Sequence, residues 1–483
     1  MYLGLDLGTS GVKALLIDDN QAVIGSAHGE LDVSRPHPGW SEQDPAQWIK
    51  VCETAIDGLR AAHPKEFAAV VGIGLSGQMH GATLLDENDQ VLRPCILWND
   101  TRSYKEAAEL DADPAFRAIT GNIVFPGFTA PKLVWVARNE PDIFARTRKV
   151  LLPKDYLRLW LTGEYVSDMS DSAGTSWLDT GARKWSQELL AKTGLTESHM
   201  PALAEGSDAT GTLRAELTAR WGLSAAPVVA GGAGDNAASA CGMGTVQPGH
   251  AFVSLGTSGV LFAANGAYQP KPESAVHAFC HALPGTWHQM GVILSAASAL
   301  DWFSRITGTS AHALDAELSA TLNAPGSATF LPYLSGERTP YNDAKIRGVF
   351  SGLDHETDRK AMTQAVLEGV AFAIRDNLVA LQSAGTEIKS LIAVGGGSRS
   401  AYWLKSIATA LNVPISLPEE GDFGAAFGAA RLGLIAASGA DPFAICTPPR
   451  TARTIEPEQA LLSSYDEAYQ RYHALYPALR PLA

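Results

Sequence analysis

Short apolar runs separated by glycine turns occur at the start and in the middle of the chain. An apolar run over residues 1–7 precedes Gly-Thr-Ser-Gly at 8–11, and a second apolar run follows over 12–17. The same hexapeptide, Leu-Gly-Thr-Ser-Gly-Val, returns at 255–260, again between apolar runs. This pattern predicts strand, tight turn and strand. Its repetition about half a chain length later predicts two lobes that each begin with this hairpin.

The same pattern predicts a mixed sheet with a crossover helix in the first half. Asp44-Pro45 reads as an N-cap followed by proline at the first helical position. The predicted strands are 2–7, 12–18, 22–29, 67–75, a hairpin of 82–85 with 91–93, and 227–230. The predicted helices are 45–62, 132–139, 145–161 and a small-residue helix that follows Asp235 to about 242.

After Gly249 the second half repeats the hairpin and then alternates helices and strands. The predicted helices are 295–307, 358–382, 398–411, 424–437 and 456–476, and the predicted strands are 390–394 and 414–417. The two halves therefore indicate a duplication. We expect an N-terminal lobe over 1–246 and a C-terminal lobe over 247–483.

Composition limits the functions this chain can have. Its 483 residues, 46% hydrophobic, are enough for two large cores. Against 51 acidic residues stand 37 Lys plus Arg, a net charge of −14 without a basic run, which argues against nucleic-acid or anionic-membrane partners. Five scattered cysteines, no apolar run of membrane-spanning length and a strand at residue 1 predict a cytoplasmic protein.

Three motifs suggest functions that their context does not support. The G-x-G-x-x-G pattern at 72–77 is not followed by a helix, which a dinucleotide site requires. Asp-Phe-Gly at 422–424 lacks the catalytic loop of protein kinases, so we interpret it as a coincidence at a helix start. His277, Cys280 and His281 have no second pair at zinc spacing, which favours a structural or interlobe role.

Asp6 ends the first strand, immediately before the glycine turn. The turn places backbone N–H groups and two hydroxyls around a concavity that suits a phosphate. A carboxylate beside a phosphate is repulsive unless a cation lies between them, so Asp6 predicts Mg²⁺, held partly through waters. The alternative is an aspartate that only initiates the turn.

Asp235 follows a glycine run and precedes the small-residue helix. We expect an exposed side chain that the helix N-terminus keeps ionised. An ionised carboxylate beside a substrate hydroxyl accepts its proton during phosphoryl transfer. The alternative is a plain N-cap. The glycines at 395–397, before Ser398, permit close approach of a nucleotide, although this signal is weak by itself.

Taken together, these segments resemble the superfamily of actin, hexokinase and the 70-kDa heat-shock ATPases. Within it the chain resembles the FGGY carbohydrate kinases over essentially its whole length. Residues 127–135 are similar to the family's first signature; 348–353, leading to 365–368, resemble the second, which departs at Ala361, where a polar residue is usual. The resemblance implies an α/β fold of two duplicated, ribonuclease H-like lobes with a cleft between them.

Segments 39–45, 77–81 and 98–102 resemble the xylulokinase subfamily. That implies transfer of the ATP γ-phosphate to the 5-hydroxyl of D-xylulose in xylose catabolism, with Asp235 as proton acceptor and Asp6 supporting Mg²⁺-ATP. We expect a homodimer. The implied sugar contacts are Gln78, Met79, His80, Trp98 and Asn236. The implied ATP contacts are Gly8, Thr9, Ser10, Lys13, Gly256, Thr257, Ser258, Gly396, Gly397 and Ser398.

Several alternatives stay open. Another pentulose or pentitol, such as D-ribulose or arabitol, differs by one or two hydrogen bonds that no motif records. A glycerol kinase would have a different substrate loop at Gln78–His80. A chaperone-type or filament-forming ATPase and a non-catalytic sugar sensor could use the same hairpins. A chaperone would need an added peptide-binding domain, and the presence of Asp6 and Asp235 argues against a silent sensor.

Overall fold

Two seven-stranded mixed sheets organise the chain in the computed structural model, which describes residues 1–318, 321–419 and 421–482. The strands are β1 (Tyr2–Leu7), β2 (Gly11–Ile17), β3 (Val23–Glu30), β4 (Glu42–Gln43), β5 (Gly72–Gly77), β6 (Thr83–Leu85), β7 (Cys95–Ile96), β8 (Lys149–Leu151), β9 (Val166–Asp168), β10 (Leu178–Asp179), β11 (Lys184–Trp185), β12 (Ala202–Ala204), β13 (Ala209–Thr212), β14 (Val228–Ala230), β15 (Ala233–Gly234), β16 (His250–Leu255), β17 (Gly259–Asn265), β18 (His277–Cys280), β19 (Trp287–Ile293), β20 (Thr329–Leu331), β21 (Val349–Ser351), β22 (Ser390–Val394), β23 (Ile415–Pro418) and β24 (Thr451–Ile455).

Helices cover the sheets and connect their strands. They are α1 (Pro45–Ala62), α2 (Pro64–Ala68), α3 (Tyr104–Ala112), α4 (Pro114–Thr120), α5 (Thr129–Asn139), α6 (Pro141–Arg146), α7 (Pro153–Thr162), α8 (Met169–Ser172), α9 (Gln187–Lys192), α10 (Ala215–Trp221), α11 (Asp235–Met243), α12 (Ala297–Thr307), α13 (Ala311–Ala316), α14 (Arg359–Ser383), α15 (Ala401–Leu411), α16 (Ala425–Ser438), α17 (Pro442–Ile445) and α18 (Leu462–Leu479). None of the helices in the described ranges is both long enough and apolar enough to cross a membrane.

The two sheets share one pairing plan, as the repeated hexapeptide predicts. The first runs β13-β14-β5-β1-β2-β3, with β15 as a seventh strand that also pairs with β5, and the second runs β18-β19-β17-β16-β22-β23-β24. In each, a central strand pairs antiparallel with its hairpin partner and parallel with a crossover strand, β1 with β5 and β16 with β22. Separate apolar cores pack on the two sheets, one around Leu5, Trp48 and Ile73 and the other around Val253, Phe372 and Trp403. The predicted duplicated α/β architecture is confirmed.

Three predicted elements of the first half are wrong. Residues 67–75 do not form one strand, because α2 ends at Ala68 and β5 begins only at Gly72. The 82–85 segment pairs with β8 and forms only an isolated bridge to Val91. The predicted helix 145–161 contains β8 and then α7, which begins at Pro153, where proline suits the first helical turn.

The glycines of the 72–77 motif serve helix packing. Helix α16, from the second half of the chain, lies directly on β1 and β5 of the first sheet. A Cβ atom added at Gly74 would lie 1.7 Å from the Ala429 carbonyl oxygen, and one at Gly4 would lie 1.9 Å from that of Ala426. Only glycine permits this backbone-to-backbone contact. Because α16 also packs on α11, it fixes the helix that begins at Asp235.

Candidate active site

The two candidate catalytic carboxylates lie on either side of β5. Asp6 pairs with Ser76 across β1 and β5, while Gly234 of β15 pairs with Gly77 on the other side of β5. Asp235 follows as the first residue of α11, with Gly234 rather than Asp235 as the N-cap. Two strand spacings, about 10 Å, therefore separate the two backbones, and both side chains are carried at the same end of the sheet.

Hydrogen bonds hold the Asp235 loop in place. The Asp235 Oδ1 atom accepts from the Asn236 backbone N–H at 2.7 Å and from Asn236 Nδ2 at 3.0 Å. The Gly234 N–H donates to Ser170 Oγ at 3.1 Å, and Ser170 Oγ donates to Asp168.

The buried Lys154 ammonium contacts three buried carboxylates, at 2.5 Å from Asp155, 2.7 Å from Asp168 and 3.4 Å from Asp171. A buried layer of charged side chains thus supports the Asp235 loop.

The environment of Asp235 differs from the predicted one. The side chain is half-buried rather than exposed. Burial raises its pKa to about 6, and the negative charge of Asp6 raises it too, against the two Asn236 hydrogen bonds. The field of the helix N-terminus therefore does not dominate, because desolvation of the carboxylate is the larger effect. A carboxyl group with this pKa suits a general base near neutral pH.

Asp6 carries an unsatisfied oxygen. Its Oδ1 atom is buried and has no hydrogen-bond partner in the described residues. Burial raises the pKa of Asp6, while the nearby Lys13 lowers it. An unpartnered carboxylate oxygen matches the hard, anionic oxygen donors that Mg²⁺ takes. The donor set therefore fits the predicted cation, although the described residues hold no cluster of three His, Cys, Asp or Glu side chains suited to a metal ion.

His80, a predicted sugar contact, has a constrained conformation. Its φ angle is +69°, in the left-handed region, and its ring stacks on Phe128 at a centroid distance of 4.5 Å. His80 Nδ1 lies 2.7 Å from the Gly174 carbonyl oxygen. Burial lowers the pKa of His80 to about 3. The ring is therefore neutral with its proton on Nδ1, which leaves Nε2 as a hydrogen-bond acceptor.

Met79 lies between His80 and the Asp235 loop. A Cβ atom added at Gly234 would lie 2.9 Å from Met79 Cγ, and one at Gly174 would lie 3.1 Å from Met79 Cε. These two glycines therefore make room for the thioether. Met79 thus forms an apolar wall between His80 and the Asp235 loop.

Thr9, Gln78 and Trp98 are joined to one another. Thr9 Oγ1 donates to Gln78 Oε1 and accepts from Trp98 Nε1, both at 2.9 Å. Gln78 Nε2 donates to Gln43 Oε1 at 2.9 Å. The Thr9 hydroxyl, predicted to contact phosphate, is thus engaged with two predicted sugar-binding side chains. These bonds link the first hairpin to the segments that carry Gln78 and Trp98.

The two copies of the hexapeptide differ in register. Leu7 pairs with Val12 in the first hairpin, whereas Leu255 pairs with Gly259 in the second. A cavity of about 590 Å³ lies at the first turn, where it is lined by Gly8 and Ser10 of the turn and by the flanking residues Asp6 and Lys13. The second turn instead binds the beginning of α12: the carbonyls of Gly256 and Thr257 accept from the backbone N–H groups of Ala297 and Ala296, each at 2.9 Å. Thr257 and Ser258 are exposed.

A second cavity, of about 700 Å³, lies between α11 and the second sheet. Its lining includes Asn236, Ser398, Arg399, Asp422 and Phe423. Of the predicted glycines, Gly396 is open, with no heavy atom within 4 Å of an added Cβ, while a Cβ at Gly397 would lie 2.9 Å from Leu255 Cβ. Gly397 therefore packs against the central strand.

Family models match both halves of the chain. Residues 1–242 match the N-terminal domain and residues 251–437 the C-terminal domain of the FGGY family of carbohydrate kinases. The chain belongs to this family. It is similar to the xylulose kinase of Escherichia coli (strain K12), at 49% identity over 99% of this chain and 96% of the relative.

Solved structures of FGGY-like fold agree with this assignment. A protein described as a xyloylose kinase from Brucella ovis shares 85% identity and a TM-score of 0.99, with both chains fully covered. The xylulose kinase from Rhodospirillum rubrum shares 31% identity and a TM-score of 0.92 over 100% of this chain and 99% of its own. The family resemblance and the two-lobed fold predicted from the sequence are confirmed.

Sequence reasoning missed two residues of this FGGY site. Asp422 and Phe423, set aside as a coincidental motif, line the larger cavity, and Asp422 forms an ion pair with Lys13. The segment is not a protein-kinase loop, in agreement with the prediction, but it contributes to the lining of this cavity. The available signal was its place in a glycine-flanked loop directly before a small-residue helix.

Proposed function

We propose that this FGGY kinase transfers the γ-phosphoryl group of ATP to the 5-hydroxyl of D-xylulose, giving D-xylulose 5-phosphate in xylose catabolism. One observation carries the proposal. Asp235 lies between the Met79–His80 wall and the larger cavity, so a sugar on one side and a triphosphate on the other meet at its carboxylate. The relatives named as xylulose kinases support this choice of sugar.

Each side chain has a role that its environment supports. Asp235 accepts the proton of the attacking hydroxyl, and its pKa of about 6 leaves it mostly ionised at neutral pH. Neutral His80 accepts a hydrogen bond from a sugar hydroxyl at Nε2, and Met79 covers an apolar edge. Trp98 and Gln78 order this wall through Thr9. Exclusion of water between the lobes protects the phosphoryl group from hydrolysis.

The residues on the nucleotide side also have separate roles in the proposal. In the proposal ATP occupies the larger cavity against Gly396 and Ser398, with Asn236 at its entrance and Gly397 keeping the strand end close-packed. The turns at Gly8, Ser10 and Lys13 and at Gly256, Thr257 and Ser258 bind phosphate oxygens. Asp6 would hold Mg²⁺, which neutralises charge on the phosphates.

We assign sugar binding and the base to residues 1–246 and most nucleotide contacts to 247–483. A cytoplasmic location accords with the scattered cysteines, all of which are unpaired and buried. A homodimer stays a prediction.

The test is ADP formation by purified protein with Mg²⁺-ATP and a panel of D-xylulose, D-ribulose, L-ribulose, D-arabitol and glycerol. We expect the highest kcat/KM with D-xylulose and its loss in Asp235→Ala. Asp301→Ala, at an exposed position of α12, serves as the matched control. Preference for another sugar would overturn the substrate. Absence of sugar-stimulated turnover would overturn the kinase assignment of this chain.

A further inference from the structure

Arg338 lies in the loop between β20 and β21, and its two neighbours fix its backbone. The buried Glu337 carboxylate accepts from the backbone N–H groups of Arg338 at 2.7 Å and Leu294 at 3.1 Å. Thr339 Oγ1 donates to the Ala275 carbonyl at 2.9 Å and accepts from the Val292 N–H at 3.0 Å. The loop is thus tied to β19 of the second sheet on both sides of Arg338.

The Arg338 side chain reaches from this loop to the wall of the sugar site. Its guanidinium carbon lies 4.7 Å from the centroid of the Phe125 ring, which belongs to the first half of the chain. Phe125 packs edge-on against Phe128 at 5.4 Å, and Phe128 stacks on His80 at 4.5 Å. His277 contacts Phe125 and Phe128 from the second sheet, at 5.3 and 5.9 Å. Two aromatic rings, Phe125 and Phe128, therefore link Arg338 to His80.

The guanidinium has donors to spare. Within the described residues its nitrogen atoms have no hydrogen-bond or ion-pair partner, although the side chain is half-buried. The Arg338 charge lowers the pKa of both His80 and His277, which places it electrostatically in the same pocket. A planar group with five N–H donors, placed over the Phe125 ring and without a hydrogen-bonding acceptor among the described residues, suits a ligand oxygen.

The proposed reaction determines which oxygen is available. If the 5-hydroxyl of a 2-ketopentose is to be phosphorylated, the sugar must react in its open-chain form, because ring closure of the furanose consumes that hydroxyl. The reacting sugar therefore presents a free C2 carbonyl, a strong acceptor without a proton. His80 Nε2, an acceptor, complements an adjacent hydroxyl but not this carbonyl.

Resting on the proposed function, we infer that Arg338 donates a hydrogen bond to the C2 carbonyl of the open-chain ketose and thereby selects ketoses over polyols. The contact joins the second lobe to a sugar held otherwise by the first. A polyol has a tetrahedral hydroxyl at C2, which is a poorer acceptor for the guanidinium, so it gains less from Arg338.

The experiment compares Arg338→Met and Arg338→Lys with the wild type. It measures kcat and KM for D-xylulose, KM for Mg²⁺-ATP and the inhibition constant of xylitol, the polyol of the same length. We expect Arg338→Met to raise KM for D-xylulose at least tenfold, with the xylitol constant and the ATP KM within about twofold. Arg338→Lys keeps the positive charge but not the planar guanidinium with its paired donors. Its KM for D-xylulose should therefore lie between those of the wild type and Arg338→Met. Arg305→Met, exposed on α12, is the matched control.

The outcomes separate the two proposals. No wild-type turnover with D-xylulose overturns the proposed function itself. Normal wild-type turnover with equal weakening of D-xylulose and xylitol in the variants means that Arg338 only supports the aromatic wall, and the inference is wrong. Unchanged KM for D-xylulose also contradicts it. If Arg338→Met fails to fold, the ketose-to-polyol ratio in Arg338→Lys decides.

Discussion

Lys13 of the first hairpin forms an ion pair with Asp422, which lies in the loop before α16, 409 residues away in sequence. The two side chains are only partly exposed, at 37% and 31%. Lys13 lines the smaller cavity and Asp422 the larger, so the pair stands where the two cavities meet. The cation proposed to bind phosphate is therefore already paired with an anion of the protein.

Replacing Asp422 should strengthen nucleotide binding. In Asp422→Asn the carboxylate no longer competes with phosphate oxygens for Lys13, and we expect KM for Mg²⁺-ATP to fall about two- to fivefold, the range for a partly exposed pair. Lys13→Met should raise the same KM while leaving KM for the sugar unchanged. A higher ATP KM in Asp422→Asn would show that Asp422 itself binds the nucleotide. Exposed Asp441→Asn is the control.

The pH dependence of turnover should report Asp235. A base with a pKa of about 6 loses activity as it becomes protonated, so kcat/KM for the sugar should fall below about pH 6. Asn236→Ala removes a side-chain hydrogen bond that lowers this pKa, and the acid limb should move to higher pH. Profiles over pH 5–9 for both proteins test this. An unmoved limb would assign it to another group.

The parts of the site carried by local pattern were predictable. Asp6 and the first turn follow from a strand that ends in Gly-Thr-Ser-Gly, and Asp235 follows from a glycine run before a small-residue helix. Both signals lie within a few residues of the functional group. Arg338 and Asp422 were not predictable, because their roles arise from contacts with Phe125 and Lys13 in the other half of the chain.

Secondary structure failed where tertiary pairing overrides local preference. The strand Lys149–Leu151 pairs with β6, although the flanking sequence predicts a helix. Pro153 marks the start of the next helix, α7. The register of the second hairpin was equally hidden, since two identical hexapeptides pair differently. The prediction that the helix N-terminus keeps Asp235 ionised failed because burial raises the pKa of this carboxyl group, and burial depends on the folded structure around it.

Acid should destabilise the fold through buried histidines. Burial holds the pKa of His277 and His288 well below 6.5 and lowers that of His281 to about 4. Below pH 6.5 the unfolded chain therefore binds more protons than the folded one, so stability is complete above that pH and is lost as pH falls. Each such histidine contributes a slope of about 1.4 kcal/mol per pH unit.

The variant His288→Phe tests whether a buried histidine makes the fold less stable in acid. His288 stacks on Phe262 at 4.5 Å, so a phenyl ring keeps the packing while it removes the titrating group. Urea unfolding at pH 7.5 and 5.5 should show a smaller loss of stability in the variant than in the wild type. The control is His312→Phe at an exposed position of α13. An equal loss in wild type and His288→Phe would contradict the prediction.

Gly74 should be essential for the packing of α16 against β5. A methyl group there would lie 1.7 Å from the Ala429 carbonyl oxygen, a distance that only movement of α16 can relieve. We expect Gly74→Ala to cost about 3 kcal/mol of stability. Because α16 also packs on α11, which carries Asp235, kcat should fall even where the protein remains folded.

Thermal and urea unfolding, with kcat measured below the unfolding midpoint, check both effects. Gly326→Ala is the matched control, since the nearest heavy atom lies 4.0 Å from its added Cβ and the change should be nearly neutral. A Gly74→Ala variant as stable as Gly326→Ala would mean that α16 tolerates displacement from the sheet. Lost stability with unchanged kcat would mean that α11 holds Asp235 without help from α16.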